Sequence, residues 1–139
     1  MNTSTIQKAL IRQAIYYKHP LVAKNIYLYE GWECDLISVT YSDIITEYEI
    51  KRSRADYLAD FQKKDKHFST KNGYGANYFY YACPIGLIKK SEVPEYAGLI
   101  YCNGKGSYVS KKAPILHNEK MSYNQLKKLA IKIMSSKYI

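Results

Sequence analysis

A chain of 139 residues with 47% hydrophobic content has room for one domain, residues 1–139, that buries about two thirds of its unfolded surface around one core. Lys and Arg number 21 against 12 Asp and Glu, and this formal charge of +9 favours polyanionic partners, with phosphate contacts as the source of affinity. No run approaches the roughly 18 apolar residues of a membrane span, and no apolar signal region follows residues 1–5, so no membrane partner is expected.

Residues 4–17 place Ile6, Ala9, Leu10, Ala14 and Tyr17 on one helical face, with Ser4 or Thr5 as N-cap and His19-Pro20 as the stop. Residues 25–29 alternate like a strand, and Gly31 turns the chain into a hairpin. Its arms, 32–39 and 44–51, are rich in β-branched and aromatic residues, and Tyr41-Ser42-Asp43 supplies the turn. A turn centred on Ser42 sets Asp35 opposite Glu49 and Glu33 opposite Lys51, with Glu49 and Lys51 on one face. Opposed Cβ atoms lie about 5 Å apart, which brings two carboxylates within reach of one small cation beside an ammonium group. Metal-assisted phosphodiester hydrolysis uses those parts. The alternative is a solvated strand face on which Glu and Lys alternate for solubility.

Ser53 caps a further helix, expected to run to about residue 63, with Asp56 at its third position. Asp56 and Asp60 share a face of it and are read as structural partners for basic side chains rather than as ligands. Arg52, Arg54, Lys63, Lys64 and Lys71 are the candidate phosphate contacts. Residues 65–76 lack a period and read as a loop, either one that closes over a bound strand or a long surface connection. Residues 77–83 then suit a central strand buried on both faces, stopped by Pro84. Residues 98–102 and 107–111 form a hairpin around Asn103-Gly104-Lys105-Gly106. From Ser122 onward, Leu126, Leu129, Ala130, Ile133 and Met134 make an apolar helical stripe.

Cys34, Cys83 and Cys102 are odd in number and lack the paired short spacings of a zinc site or disulfide framework, so a reducing cytoplasm is expected. The 16 tyrosines are read mainly as core and cross-strand packing, with stacking on exposed bases as an available second use.

Asp35 followed by Glu49-Ile50-Lys51 at a hairpin end, then a helix, resembles the PD-(D/E)xK nuclease superfamily. Residues 49–60, 78–84 and 93–100 resemble its MmcB-like DNA-repair branch, over about residues 30–102 in all. The resemblance implies an α/β fold with a restriction-endonuclease-like core: a mixed sheet flanked by helices in the order αβββαβ, then a C-terminal hairpin and helix. It also implies that Asp35, Glu49 and the Ile50 carbonyl hold Mg2+ or Mn2+ and that Lys51 assists the attacking water. The expected activity is a DNA endonuclease, with a non-catalytic nucleic-acid-binding module of the same fold as the alternative. One site per chain implies nicking unless a homodimer forms. Two departures stand out. Cys34 replaces the motif's proline, and no acid precedes Glu30, so only Gln7 or Gln13 stands where many members carry a first-helix glutamate. Gln7 and Glu33 are therefore the possible accessory residues.

Overall fold

The structure, a computed structural model, describes residues 1–138. Six strands form one mixed sheet in sequence order: β1 (Leu21–Tyr29), β2 (Trp32–Val39), β3 (Ile45–Ile50), β4 (Tyr78–Pro84), β5 (Gly98–Cys102) and β6 (Ser107–Lys111). The β3–β4 and β4–β5 pairs are parallel and the others antiparallel. Parallel neighbours need a crossover, and helices α2 (Arg54–Asp60) and α3 (Lys64–Lys71) supply the one between β3 and β4. The expected loop at 65–76 is thus largely a helix. Its run of polar residues and solitary Phe68 hide the period, because only Lys66 and Thr70, four apart, are buried. The helix expected to reach residue 63 correspondingly stops at Asp60.

Helix α1 (Thr3–Tyr16) lies on one face of the sheet, where Ile6, Ala9 and Leu10 pack with Leu36, Tyr48, Ile50, Ala82 and Ile100. Its cap is Asn2, whose Oδ1 accepts the Thr5 N–H at 2.8 Å, rather than Ser4 or Thr5. Tyr17 caps the other end and is exposed, since the helix closes before it reaches the core face.

Two apolar clusters cover the opposite face. Tyr57 of α2 joins Phe79, Tyr81, Ile88 and Leu99 in one. In the other, Leu129 of α4 (Tyr123–Tyr138) is fully buried among Ala23, Ile37, Val39 and Ile45. Truncating Leu129 to Ala should cost about 2–5 kcal/mol. The rest of the expected α4 stripe is less covered: Ile133 packs on this cluster, whereas Leu126, Ala130 and Met134 are exposed. Among the described residues no helix is long and apolar enough to cross a membrane.

Candidate active site

Between the two apolar clusters of that second face lies a row of charges. Strand alternation puts Glu47 and Glu49 of β3 on this face, and Lys51 follows just beyond the strand end. Above them α2 contributes Asp60 and α3 contributes Lys66. The Lys51 ammonium lies 3.2 Å from Glu49 Oε1 and 3.2 Å from Asp60 Oδ1; the Lys66 ammonium lies 3.0 Å and 3.4 Å from the same two oxygens. Glu47, Glu49, Lys51, Asp60 and Lys66 are all buried.

Asp35 reaches this row through a break in β2. The β2–β3 ladder runs from Leu36–Tyr48 to Val39–Ile45, in the expected register, and ends before Asp35. Opposite Asp35 on the other side, Asn25 of β1 adopts φ 52°, a left-handed conformation that asparagine tolerates better than most residues. Cys34 accordingly packs with Ile37 and Val39 on one side while Leu36 packs on the other, so alternation is lost around Asp35. Its carboxylate turns toward the next strand, and Oδ2 accepts the Ile50 N–H at 2.8 Å. Asp35, Glu49, Ile50 and Lys51 thereby line one cleft of about 370 Å³, together with Arg52, Asp56, Asp60 and Lys63.

The acids of this row differ in what surrounds them. Asp60 is saturated: besides the buried Lys51 and Lys66 ammoniums on Oδ1, which the exposed Lys63 ammonium also approaches at 3.7 Å, its Oδ2 receives Tyr81 OH at 2.9 Å and faces His67 Nε2 at 2.9 Å, while His67 Nδ1 meets Tyr96 OH. Burial opposes its charge, but His67, Lys66, Lys51 and Tyr81 together hold its carboxyl well below the usual range. Glu49 is half satisfied, with Oε2 buried and without a hydrogen-bond partner. Burial raises its proton affinity, Lys66 opposes, and the Asp35 charge adds to the rise. Glu47 is fully buried, and burial pushes it up to about 7 despite Lys66 and the Trp32 indole, which donates to Oε2 at 3.2 Å. Lys66 rises to about 12, because Glu49, Glu47 and Asp60 outweigh its own desolvation.

Not every candidate from the sequence reaches the cleft. Arg52 and Lys63 line it, and Lys64 lines an adjoining depression that shares Lys63. Arg54 is engaged elsewhere, in a fork to Glu92 at 2.6 and 3.0 Å. Lys71 ends α3 and is not among the lining side chains. The expected Glu33–Lys51 pair does not form, since Lys51 lies past the ladder and its ammonium is taken by Glu49 and Asp60; Glu33 is exposed. Gln7 is buried and donates to the Asp35 backbone carbonyl at 3.2 Å, so it ties α1 to β2 instead of facing the cleft. Gln13 lies on the other face of the sheet.

Sequence reasoning missed Glu47, Lys66 and His67. The available signal for Glu47 was its place in alternation, on the same strand face as Ile45 and Glu49. Lys66 and His67 were hidden once residues 65–76 were read as a loop.

Asp35 Oδ2 already holds a backbone amide, and among the described residues no group of three or more His, Cys, Asp and Glu is placed to hold a metal. The donor set nevertheless suits a hard divalent cation, because Asp35 and Glu49 offer carboxylate oxygens and Glu49 Oε2 lacks any partner.

No family model matches the chain, and no curated protein matches it. The chain is similar in structure to the SPO1766 protein of unknown function from Silicibacter pomeroyi, with a TM-score of 0.69 and 16% identity over 99% of this chain and 87% of that one. The two share an α/β fold with a mixed sheet flanked by helices. At this identity the likeness concerns fold alone.

Proposed function

We propose that the chain is a metal-dependent nuclease of the PD-(D/E)xK kind that hydrolyses DNA phosphodiester bonds in the cytoplasm, in repair, recombination or phage DNA processing. The observation that carries this reading is the convergence of Asp35, Glu49 and Lys51 on one cleft, with Glu49 Oε2 buried and unpartnered. Asp35, Glu49 and the Ile50 carbonyl would hold Mg2+ or Mn2+, which would supply a Lewis acid for the phosphate. Lys51 lies within the same cleft, where its ammonium can hold a water or a charged phosphate oxygen. Arg52 and Lys63 give the rim positive charge for the DNA backbone, and affinity should fall steeply with salt.

One observation favours a second reading, a nucleic-acid-binding module that does not cut. Lys51 and Lys66 already neutralise Glu49 Oε1, and α1 offers Gln7 rather than an acid. Incubating the protein with single-stranded, duplex and branched DNA in Mg2+ or Mn2+, beside Asp35→Ala, separates the two. The nuclease reading expects cleavage by the wild type only. Equal behaviour on every substrate would leave the binding module.

A further inference from the structure

On the sheet face opposite the charged row, α1 stops short. Ala14 is its last buried residue, and beyond it the strands are floored by tyrosines rather than covered by helix. The result is a groove of about 270 Å³ that Tyr17, Tyr48, Tyr78 and Tyr80 line, open at its Tyr17 rim, where that side chain is 63% exposed.

The floor is shaped by one glycine. A Cβ at Gly98 of β5 would lie 2.4 Å from the Tyr80 ring and 2.7 Å from the Ala113 nitrogen, so glycine alone lets that ring lie across the strand. Tyr80 OH in turn accepts the Ala113 N–H at 3.1 Å, which fixes the backbone beside Lys112 and places Lys112 on the groove wall. The Tyr48 ring lies nearly parallel to that of Tyr80, at 20° and 6.1 Å between centroids. The polar groups there that make no hydrogen bond among the described residues include the Gln13 amide, the Lys112 ammonium and the Nε2 of His19, whose Nδ1 is 3.1 Å from Ser38 Oγ.

We propose that this groove binds a nucleotide, its base stacked on the tyrosines, its edge read by Gln13 and His19, and its phosphate held by Lys112. The chemistry follows from the lining. Aromatic faces accept any base, neutral amide and imidazole groups pair with its edge, and an unpaired exposed ammonium draws the phosphate. An aliphatic ligand would use the rings but leave those polar groups idle. This site is on the other side of the sheet from Asp35 and Glu49 and does not rest on the nuclease reading.

The test is amide chemical-shift titration in EDTA with adenosine 5′-monophosphate and, separately, with a short single-stranded oligothymidylate. Saturable shifts at Tyr17, His19, Tyr80 and Lys112 are expected. Tyr17→Ala and Lys112→Gln, both at exposed positions, should each weaken binding about fivefold or more. Tighter binding of the monophosphate would identify a free nucleotide as the ligand, and tighter binding of the oligonucleotide an unpaired base in a strand. Absence of saturable shifts with both probes, or shifts confined to the Asp35 cleft, would overturn the proposal.

Discussion

Glu49 and Asp60 share the same two ammonium groups, yet they sit in opposite states. Asp60 has partners on both oxygens and a strongly stabilised charge. Glu49 has one oxygen paired, the other buried without a hydrogen-bond partner, and a charge that burial and Asp35 work against. A carboxylate with every lone pair satisfied is a brace. One left buried with an unmade bond costs about 1–3 kcal/mol or more, so its retention calls for a physical reason. Both border the cleft, but the contrast makes Asp60 the group that holds α2 and α3 over the sheet and leaves Glu49 the less committed of the two.

The largest effect should come from breaking the brace. Asp60→Ala leaves two buried ammoniums short of a partner and should destabilise the fold by about 3–5 kcal/mol in urea titration. Asp56→Ala, at an exposed position four residues earlier, should cost under about 1 kcal/mol. Equal losses would erase the distinction between the two aspartates.

On the functional side, Lys51→Met leaves Glu49 and Asp60 still paired with Lys66, so the fold should persist. Single-turnover cleavage should fall about 10²-fold or more, the scale of one lost transition-state donor, with metal affinity equal or tighter. Near-normal cleavage would reduce Lys51 to part of the brace.

Glu47 offers a pH test of the same row. Its carboxyl is raised to about 7 from an ordinary 4.5, so the native state prefers the protonated form. Both states are protonated well below pH 4.5, and wild-type stability should decline as pH rises from there to about 7. Glu47→Gln removes Glu47's share of that decline, leaving the share of Glu49, whose proton affinity burial also raises, and should gain up to about 3 kcal/mol at pH 8, with little difference at pH 4. Asp60 has the opposite sign, adding stability above the ordinary aspartate range that is lost as pH falls through it. A wild type and Glu47→Gln that differ equally at pH 4 and pH 8 would show that Glu47 is not the titrating group.

The smallest effect concerns the rim. Arg54 is half exposed and already forked to Glu92 in a solvent-screened pair, so Arg54→Ala should leave stability nearly unchanged. It should also leave DNA affinity nearly intact. Arg52→Ala or Lys63→Ala should weaken binding to all sequences and lower the salt slope by about 1 each, measured by fluorescence anisotropy.

Much of the fold was legible because turn chemistry and alternation agreed. Ser42 as turn centre gave the β2–β3 register that the ladder adopts, and Asn103-Gly104-Lys105-Gly106 joined β5 to β6 as read. Asp35, Glu49 and Lys51 met in one cleft, but not through simple cross-strand pairing. Asn25, 10 residues earlier in another strand, takes a left-handed conformation opposite Asp35, where one β1–β2 pair drops out while the register holds on either side, and no pattern within β2 reveals that. Lys66 and His67 were illegible for a different reason. Helix α3 buries only Lys66 and Thr70, and a helix whose inward side chains are polar shows no hydrophobic period. Arg54 read as a phosphate contact because Glu92 is 38 residues away in sequence.

The most direct test of a metal held by Glu49 and Asp35 is calorimetric Mn2+ titration of the wild type, Asp35→Ala and Asp56→Ala. One saturable site is expected in the wild type and in Asp56→Ala, and its loss in Asp35→Ala. Equal Mn2+ binding by Asp35→Ala and wild type, or none by either, would contradict it and leave Glu49 as a second brace.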